Sequence, residues 1–387
     1  MLALGHRDRV RRTTLRMSEN ALRKAFALMG GPFPVLETLQ LWCSSSGFDV
    51  RIPAKFEAPN LRHLQLSDVN LLPPSLLNNN VASNIVSFTI GEISTKPEVL
   101  IEYLAPMPHL RVLKIGISFA IPSERTERKE RELSRSSSSS AKSVPLALTD
   151  LEEFEYQGIS DYLEAFAARI SAPFLEKLSI TISNEIKDDV SVAELEATTF
   201  KHLSRLISGA PNLAFQFCRV RFKDGFSVVL DHDELWTGRG AFELRFNSRR
   251  YFFYANIGLV AKICRVLAPM PSSVQSLLLE DAHRNEWHQG PEGAEWRELL
   301  RVFEDVKTLR VAGRFVDEVN GALDPKEAGG GDNMPLLPRL QEIVRYNNGR
   351  ETDKKDQFFA AFVQARQAAG APVVRVVKGP QNRLTLV

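Results

Sequence analysis

Ala58-Pro59-Asn60-Leu61-Arg62-His63-Leu64-Gln65-Leu66 decides the architecture. Leu61 is followed three and five positions later by two more leucines, and a proline stands two positions before it. The same phrase occurs at Phe33-Pro34-Val35-Leu36-Glu37-Thr38-Leu39-Gln40-Leu41 and at Met107-Pro108-His109-Leu110-Arg111-Val112-Leu113-Lys114-Ile115. It returns at Ala172-Pro173-Phe174-Leu175-Glu176-Lys177-Leu178-Ser179-Ile180. The last two apolar residues are two apart, so on a strand they share one face.

With the first apolar residue as anchor, Val10, Leu36, Leu61, Ile85 and Leu110 lie 24–26 residues apart, and Leu151 to Leu175 is again 24. That period falls inside the leucine-rich-repeat range of roughly 20–29. Weaker echoes stand at Leu213, Val274, Val306 and Leu340. One unit cannot bury its apolar face alone, so stacked units are expected to share it along a parallel ladder. The fold expected is α/β: an irregular leucine-rich-repeat solenoid with a mostly parallel sheet on its concave face and helices on its convex face. The asparagine that ladders loop backbone in such repeats is missing after most strands, and Asn70 is the candidate after the Leu61 strand.

Between anchors the apolar period changes to that of a helix. Ser18 is placed to cap a helix whose face is Leu22, Ala25, Phe26 and Met29, and Gly30 and Gly31 end it. Further helices are expected over Pro97–Ala105, Asp161–Ile170, Thr198–Ile207, Gly258–Leu267, Glu295–Phe303 and Lys355–Ala369. The recurrent Ala-Pro or Met-Pro is a stop, because proline cannot continue a helix.

The pattern breaks in three places. Residues 123–143 carry mixed charges and then the serine run Ser136–Ser140, too little apolar surface to offset chain entropy. This stretch is expected to be a disordered insert between N-terminal repeats (1–122) and divergent C-terminal repeats (144–387). Basic residues three before Ser134 and Ser138 make it a phosphorylation candidate. Residues 324–335 are a glycine-rich loop by composition. Over 215–254 the helical spacing disappears. Lys223-Asp224-Gly225 is an Asp-Gly hairpin signal, and Phe242–Phe246 alternates again, so antiparallel strands are expected.

The 387 residues are 44% hydrophobic and 25% charged, with a net charge of +2, ordinary for a soluble globular chain. Arg7, Arg9, Arg11, Arg12 and Arg16 make the start locally basic. A nucleic-acid footprint should be basic over a whole face, so no nucleic-acid partner is expected. Cys43, Cys218 and Cys264 have no paired spacing, which fits a reducing compartment. No apolar run reaches the ~18–20 residues of a membrane span, and the residues after Met1 lack a secretory core. A cytoplasmic or nuclear monomer without membrane contact is expected.

The order of segments in the second half carries a resemblance. It runs Pro271–Leu277, a helix Glu295–Phe303 with Trp296, Leu299, Leu300 and Phe303 inward, the strand Val306–Leu309, Leu336–Ile343 and Phe358–Gly370. Gly5–Arg11 and Phe33–Glu37 match earlier parts of the same proteins. This order resembles the F-box-like, leucine-rich-repeat proteins expanded in basidiomycete fungi. In that family an F-box of about 40–50 residues precedes the repeats and binds the Skp1-like linker of a cullin ubiquitin ligase, while the repeats hold the substrate. Here the repeat phrase already starts at Val10, so the resemblance is to the repeat half. A Skp1-like partner is implied only if an F-box lies upstream.

Chemistry has two candidate clusters. Asp231-His232-Asp233-Glu234 lies where a hairpin loop is expected, and Asp281, His283, Glu286 and His288 lie in a strand-to-helix loop. Metal ligands must converge from a rigid frame, which loops of this composition do not supply, so no metal, cofactor or catalytic residue is expected. A metal-dependent hydrolase using Asp231, His232 and Asp233 is the alternative from a different class. Neither a phosphate-binding glycine loop nor a nucleophile elbow is present. The function expected is therefore protein binding, as the substrate-recognition part of a ligase adaptor or as a stand-alone scaffold. Its face would be the outward positions of the strands: Thr38, Gln40, Trp42, His63, Gln65, Ser87, Thr89, Lys114, Glu153, Glu155, Lys177, Ser179, Thr308 and Arg310. Trp42 among polar neighbours suits an anchor. The charges alternate in sign along this face, which favours neither an acidic nor a basic partner.

Overall fold

The computed structural model describes residues 6–44, 48–50, 56–71, 79–91, 95–117, 145–183, 201–210, 215–222, 225–232, 242–247, 257–267, 273–281, 293–313, 315–324, 336–346, 359–371 and 374–378. The chain divides into two compact units, Met1–Ser183 with Arg205–Asn212, and Asn184–Ser204 with Leu213–Val387.

The first unit holds β1 (Arg12–Met17), α1 (Glu19–Leu28), β2 (Thr38–Cys43), β3 (Phe48–Val50), β4 (His63–Ser67), β5 (Val69–Leu71), α2 (Asn79–Ala82), β6 (Ser87–Gly91), α3 (Pro97–Leu104), β7 (Val112–Gly116), β8 (Leu146–Ala147), β9 (Glu153–Gly158), α4 (Ser160–Ala167), β10 (Ile170–Ser171) and β11 (Lys177–Ile182). The strands β1-β2-β4-β6-β7-β9-β11 lie side by side and every pair is parallel. The pairs β3–β5 and β8–β10 form small parallel ladders of their own. Ile170, expected in a helix, belongs to β10 instead, because α4 stops at Ala167 and the chain turns into the next phrase.

The L-x-x-L-x-L phrase has a single structural meaning in every copy. The anchor N–H closes a turn onto the carbonyl three residues back: Leu36 to Phe33, Leu61 to Ala58, Ile85 to Ala82, Leu110 to Met107, Leu151 to Leu148 and Leu175 to Ala172. Pro34, Pro59, Pro108 and Pro173 occupy the second position of these turns, where their fixed φ fits. The residue after each anchor then offers its carbonyl to two successive N–H groups of the next unit. Glu37 accepts from Arg62 and His63, Arg62 from Val86 and Ser87, Val86 from Arg111 and Val112. Arg111 and Glu152 continue the series.

Inward, the strands stack two apolar rows. One is Leu39, Leu64, Phe88, Leu113, Phe154 and Leu178; the other is Leu41, Leu66, Ile90, Ile115, Tyr156 and Ile180, all buried. Leu22 and Phe26 of α1, Leu100 and Leu104 of α3, and Leu163 and Phe166 of α4 are buried as well. Ser18 holds the N-cap position of α1, although its side chain makes no cap bond. At the other end of α1, Arg7 donates to the carbonyls of Leu28 (2.7 Å) and Gly30 (3.1 Å), a cation meeting the negative end of the helix dipole. Strands β7 and β9 pair directly and in register although 41 residues separate their equivalent positions. The insert expected at 123–143 lies outside the described residues.

The repeat ladder of asparagines is displaced rather than lost. Asn70 lies in β5 opposite Asp49, not in a laddering loop. One residue before the anchor, Asn60 Nδ2 donates to the Pro34 carbonyl at 2.6 Å, and Asn84 Nδ2 donates to the Pro59 carbonyl at 2.9 Å. The same position in the next units brings His109 Nδ1 to Asp150 Oδ2 at 3.0 Å. Side chains stitch neighbouring units at the turn before each strand.

Helix α5 (Lys201–Ser208) follows, and its Arg205 donates to the carbonyls of Ala167 and Ala168 at 2.9 Å each. The second unit continues with β12 (Phe217–Phe222), β13 (Gly225–Asp231), β14 (Phe242–Asn247), α6 (Ile257–Val266), β15 (Ser276–Asp281), α7 (Gly293–Leu300), β16 (Thr308–Ala312), α8 (Phe315–Leu323), β17 (Glu342–Tyr346), α9 (Ala360–Ala368) and β18 (Arg375–Lys378). Its strand order is β14-β13-β12-β15-β16-β17-β18. The pairs β12–β13 and β13–β14 are antiparallel, as the Asp-Gly signal implied, and the rest are parallel. Residues 248–254 of the stretch where antiparallel strands are expected, and residues 325–335 of the glycine-rich loop, lie outside the described residues.

The carbonyl ladder reappears here through Gln216, Gln275, Lys307 and Gln341. It makes Phe215, 1% exposed, the anchor of β12 in place of the expected Leu213. Val274, Val306, Leu340 and Val374 are the next anchors, now 32–34 residues apart. The interval from Val306 to Leu340 holds α8, a helix that the apolar spacing does not mark. Its Phe315 is an edge-to-face neighbour of Trp296 at 4.9 Å and of Phe222 at 5.2 Å, and its Glu318 accepts the Trp296 indole N–H at 3.0 Å. Among the described residues no helix is long and apolar enough to cross a membrane.

Candidate interaction face

In-register parallel strands place equivalent residues in rows about 4.8 Å apart. On the outward face of the first unit there are three. The first is Arg12, Thr38, His63, Ser87, Val112, Glu153 and Lys177. The second is Thr14, Gln40, Gln65, Thr89, Lys114, Glu155 and Ser179, and the third is Arg16, Trp42, Ser67, Gly91, Gly116, Gln157 and Thr181. The outward residues expected from sequence in this half therefore share one face, partly or fully exposed. Arg12, Thr14 and Arg16 of β1 complete its rows, in line with the alternation through Val10–Leu15 that reads as a strand with a solvated face, although β1 lacks the full phrase.

The rows are tied by side chains. Thr14 Oγ1 donates to Gln40 Oε1 at 2.9 Å, and Gln40 Nε2 donates to Gln65 Oε1 at 3.1 Å, a short amide ladder. Farther along, Lys114 Nζ lies 2.8 Å from Glu155 and 3.0 Å from Glu153, and Lys177 lies 3.3 Å from Glu153. Burial alone would push the Glu153 carboxyl up; its bonds to Lys114 and its attraction to both lysines outweigh that, so it titrates below its usual value. Burial likewise pulls Lys114 down, and the carboxylates of Glu155 and Glu153 reverse the sign and hold it above its usual value. The four charges cancel locally. Trp42 is half-buried beside the small residues Ser67 and Gly91.

The second unit presents a different face. Thr308 and Arg310 do point outward, half-buried. Thr308 stands between the polar Ser276 and Glu342, but Arg310 stands between the apolar Leu278 and Val344, and the next row holds Ala312 and Tyr346; Leu278, Ala312 and Tyr346 are buried on this face with Val344 packed against them. Arg219 and Arg221 converge on Glu280, which Arg219 Nε reaches at 2.9 Å. A polar outward face expected along the whole chain thus holds for the first unit and not for the second. Leu277, Leu278 and Leu279 run consecutively, which hides which of them faces outward.

The acidic clusters resolve differently from a hairpin loop. Asp231 is the last residue of β13 and 1% exposed; its Oδ1 accepts the His232 N–H at 2.7 Å, and the His232 ring lies 5.3 Å from Phe215. Asp281 ends β15 and is buried. Asp233, Glu234, His283, Glu286 and His288 lie outside the described residues. Among the described residues no group of three or more histidine, cysteine or acidic side chains converges for a metal.

No family model matches the chain. No curated protein matches it either. Among solved structures it is similar to the leucine-rich repeat-containing protein LegL7 from Legionella pneumophila, with 13% identity over 93% of this chain and 98% of that one. The TM-score is 0.32, too loose a superposition to bear on shape or activity.

Proposed function

We propose that the chain is a non-catalytic protein-interaction module of the leucine-rich-repeat solenoid type, and that the outward face of its first unit holds the partner. One observation carries this reading: three rows of accessible, mostly polar residues run in register across parallel strands whose opposite faces are buried. Such a face is pre-organised, so little side-chain and backbone entropy is lost on binding.

The test is site-specific photo-crosslinking in the source cell. A photoreactive residue at Gln65 or Thr89 should give discrete protein adducts, whereas one at Arg23 on α1 should not. Equal labelling from both, or none from the sheet face, would reject the reading.

The finer assignment, a substrate receptor of an F-box type ubiquitin ligase, rests on the resemblance in segment order. Co-purification with a Skp1-like linker separates it from a stand-alone scaffold. Cytoplasm or nucleus is the compartment we assign to either, on cysteine usage.

A further inference from the structure

We propose that the β1–β2–β4 end of this face docks an extended acidic segment of the partner, with Arg12 and Arg16 taking its carboxylates beside Trp42. This rests on the outward face being the binding surface.

Charge segregation on the face is the argument. The alternation of sign in the sequence suggests neutrality, but in space the two ends differ. At the β7–β9–β11 end, Lys114 and Lys177 are matched by Glu153 and Glu155. At the β1 end, Arg12 and Arg16 are exposed and pair with no carboxylate among the described residues. The nearby ion pairs lie elsewhere: Arg11 with Glu37 at the turn, and Arg23 with Glu19 along α1. The outward residues between the two ends, Thr38, Gln40, His63, Gln65 and Ser67, carry no acid. A partner that is neutral or basic here would leave two arginines facing it uncompensated.

Geometry sets the form of the ligand. Arg12, Thr14 and Arg16 are alternate residues of one strand, so the two arginines stand about 13 Å apart at ~3.3 Å per residue. An extended peptide laid along β1 repeats its own side chains at the same interval. Acids at positions i and i+4 meet Arg12 and Arg16, and the residue between them faces Thr14. Trp42 is the register partner of Arg16 on the adjoining strand. It offers an apolar wall for a side chain flanking the second acid. Nucleic acid fits less well, because the basic surface ends after one strand and the next cation inward, Lys114, is already neutralised.

The test uses the full chain and a phage-displayed library of random peptides as probe. It compares the unchanged protein with Arg12→Lys/Arg16→Lys, Arg12→Glu/Arg16→Glu and Gln65→Arg, all at exposed or half-buried outward positions where folding is preserved. Expected are peptides with acids four apart, bound at least about tenfold more weakly by the glutamate pair, retained by the lysine pair and weakened by salt. Peptides lost on Gln65→Arg but indifferent to the glutamate pair keep the face and overturn the acidic ligand. Peptides indifferent to all variants, or no enrichment at all, overturn the proposal, the former together with the face itself. A single-stranded RNA 20-mer that binds through the two arginines and is not displaced by acidic peptide also overturns it, in favour of nucleic acid.

Discussion

Leu66→Ala and Gln65→Ala change adjacent residues of β4 and should differ sharply in cost. Leu66 is fully buried in the inward row, between Leu41 of β2 and Ile90 of β6. Truncation removes about three carbon groups, ~2.4 kcal/mol of transfer at ~0.8 each. The neighbouring strands are pinned by their ladders and cannot close the void, so a cavity term brings the total to about 3–4 kcal/mol. Gln65 faces outward and loses one hydrogen bond, accepted from Gln40 at 3.1 Å. Gln40 is half-buried and can rehydrate, which limits the cost to about 0.5–1 kcal/mol. Because the chain has two compact units, a single global midpoint would blur the effect. Hydrogen exchange by mass spectrometry on peptides covering Thr38–Cys43 and Ser87–Gly91 isolates it. Where exchange follows opening, Leu66→Ala should speed it about 150- to 900-fold and Gln65→Ala about two- to fivefold. Comparable effects from the two, or a larger one from Gln65, would refute the assignment of faces and with it the binding surface.

Gly158→Ala should destabilise by about 1–3 kcal/mol, because a Cβ there would stand 2.3 Å from the Tyr156 hydroxyl, which itself donates to the Ile159 carbonyl; a double cycle with Tyr156→Leu should recover part of the loss in urea unfolding. Asn84→Ala removes bonds of 2.9 and 3.0 Å to the Pro59 and Asn80 carbonyls, both exposed, and should lower stability by about 0.5–1.5 kcal/mol; an unchanged urea midpoint would show that the turn ladder adds nothing. The depressed Glu153 carboxyl gives stability that is present above its usual 4.5 and lost as pH falls through the lower folded value. Lys114, held high, adds stability below 10.5 that is lost as pH rises through its folded value. Glu153→Gln should therefore flatten the acid limb of stability by about 0.5–1 kcal/mol, modest because both lysines are more than a third exposed; an acid limb identical to that of the unchanged protein would contradict the pairing. Burial pushes Tyr103 up to about 12, so it contributes to a fall in stability between pH 10 and 12 as the unfolded phenol ionises first; Tyr103→Phe should lessen that fall, and the rest stays with Tyr156 and Tyr162, whose phenols burial also pushes up.

The inward rows were legible because spacing by two and burial are one fact on a strand: Leu39 and Leu41, or Leu64 and Leu66, could only share a face. The hairpin at β12–β13 was legible because Asp-Gly supplies the backbone that a tight turn needs. What escaped has equally local causes. Phe315–Leu323 contains Asn320 and Gly321, weak helix formers, and its helix is held by Trp296 and Phe222, partners far away in sequence. Leu213 outranked Phe215 as an anchor because Phe215-Gln216-Phe217 alternates without the usual leucines, and only the Gln216 carbonyl ladder identifies the position. In the usual repeat the asparagine follows the strand, where Asn70 stands alone; Asn60 and Asn84 instead stand one residue before an anchor, where an asparagine reads as an ordinary polar turn residue.

Those same turns bear on why the first unit, rather than the second, is the one proposed to bind. A repeat of 24–26 residues held at both the turn and the carbonyl ladder fixes strand register residue by residue, and a one-residue slip would turn every leucine outward. With register secured by backbone and by the inward rows, the outward side chains carry only a minor structural share, of the order of the single hydrogen bond between Gln40 and Gln65. They stay polar, small or charged without cost to the core. In the second unit the outward face is itself a packing surface: Leu278, Ala312 and Tyr346 are buried there, and Arg219 and Arg221 are committed to Glu280. Substitution of Arg310, which stands between Leu278 and Val344, therefore perturbs packing as well as any contact, whereas Thr38 or Thr89 can vary with little effect on the core. A surface whose chemistry can change while its scaffold stays fixed is what the proposed partner recognition would require, and the outward face of the first unit comes nearer to it than that of the second.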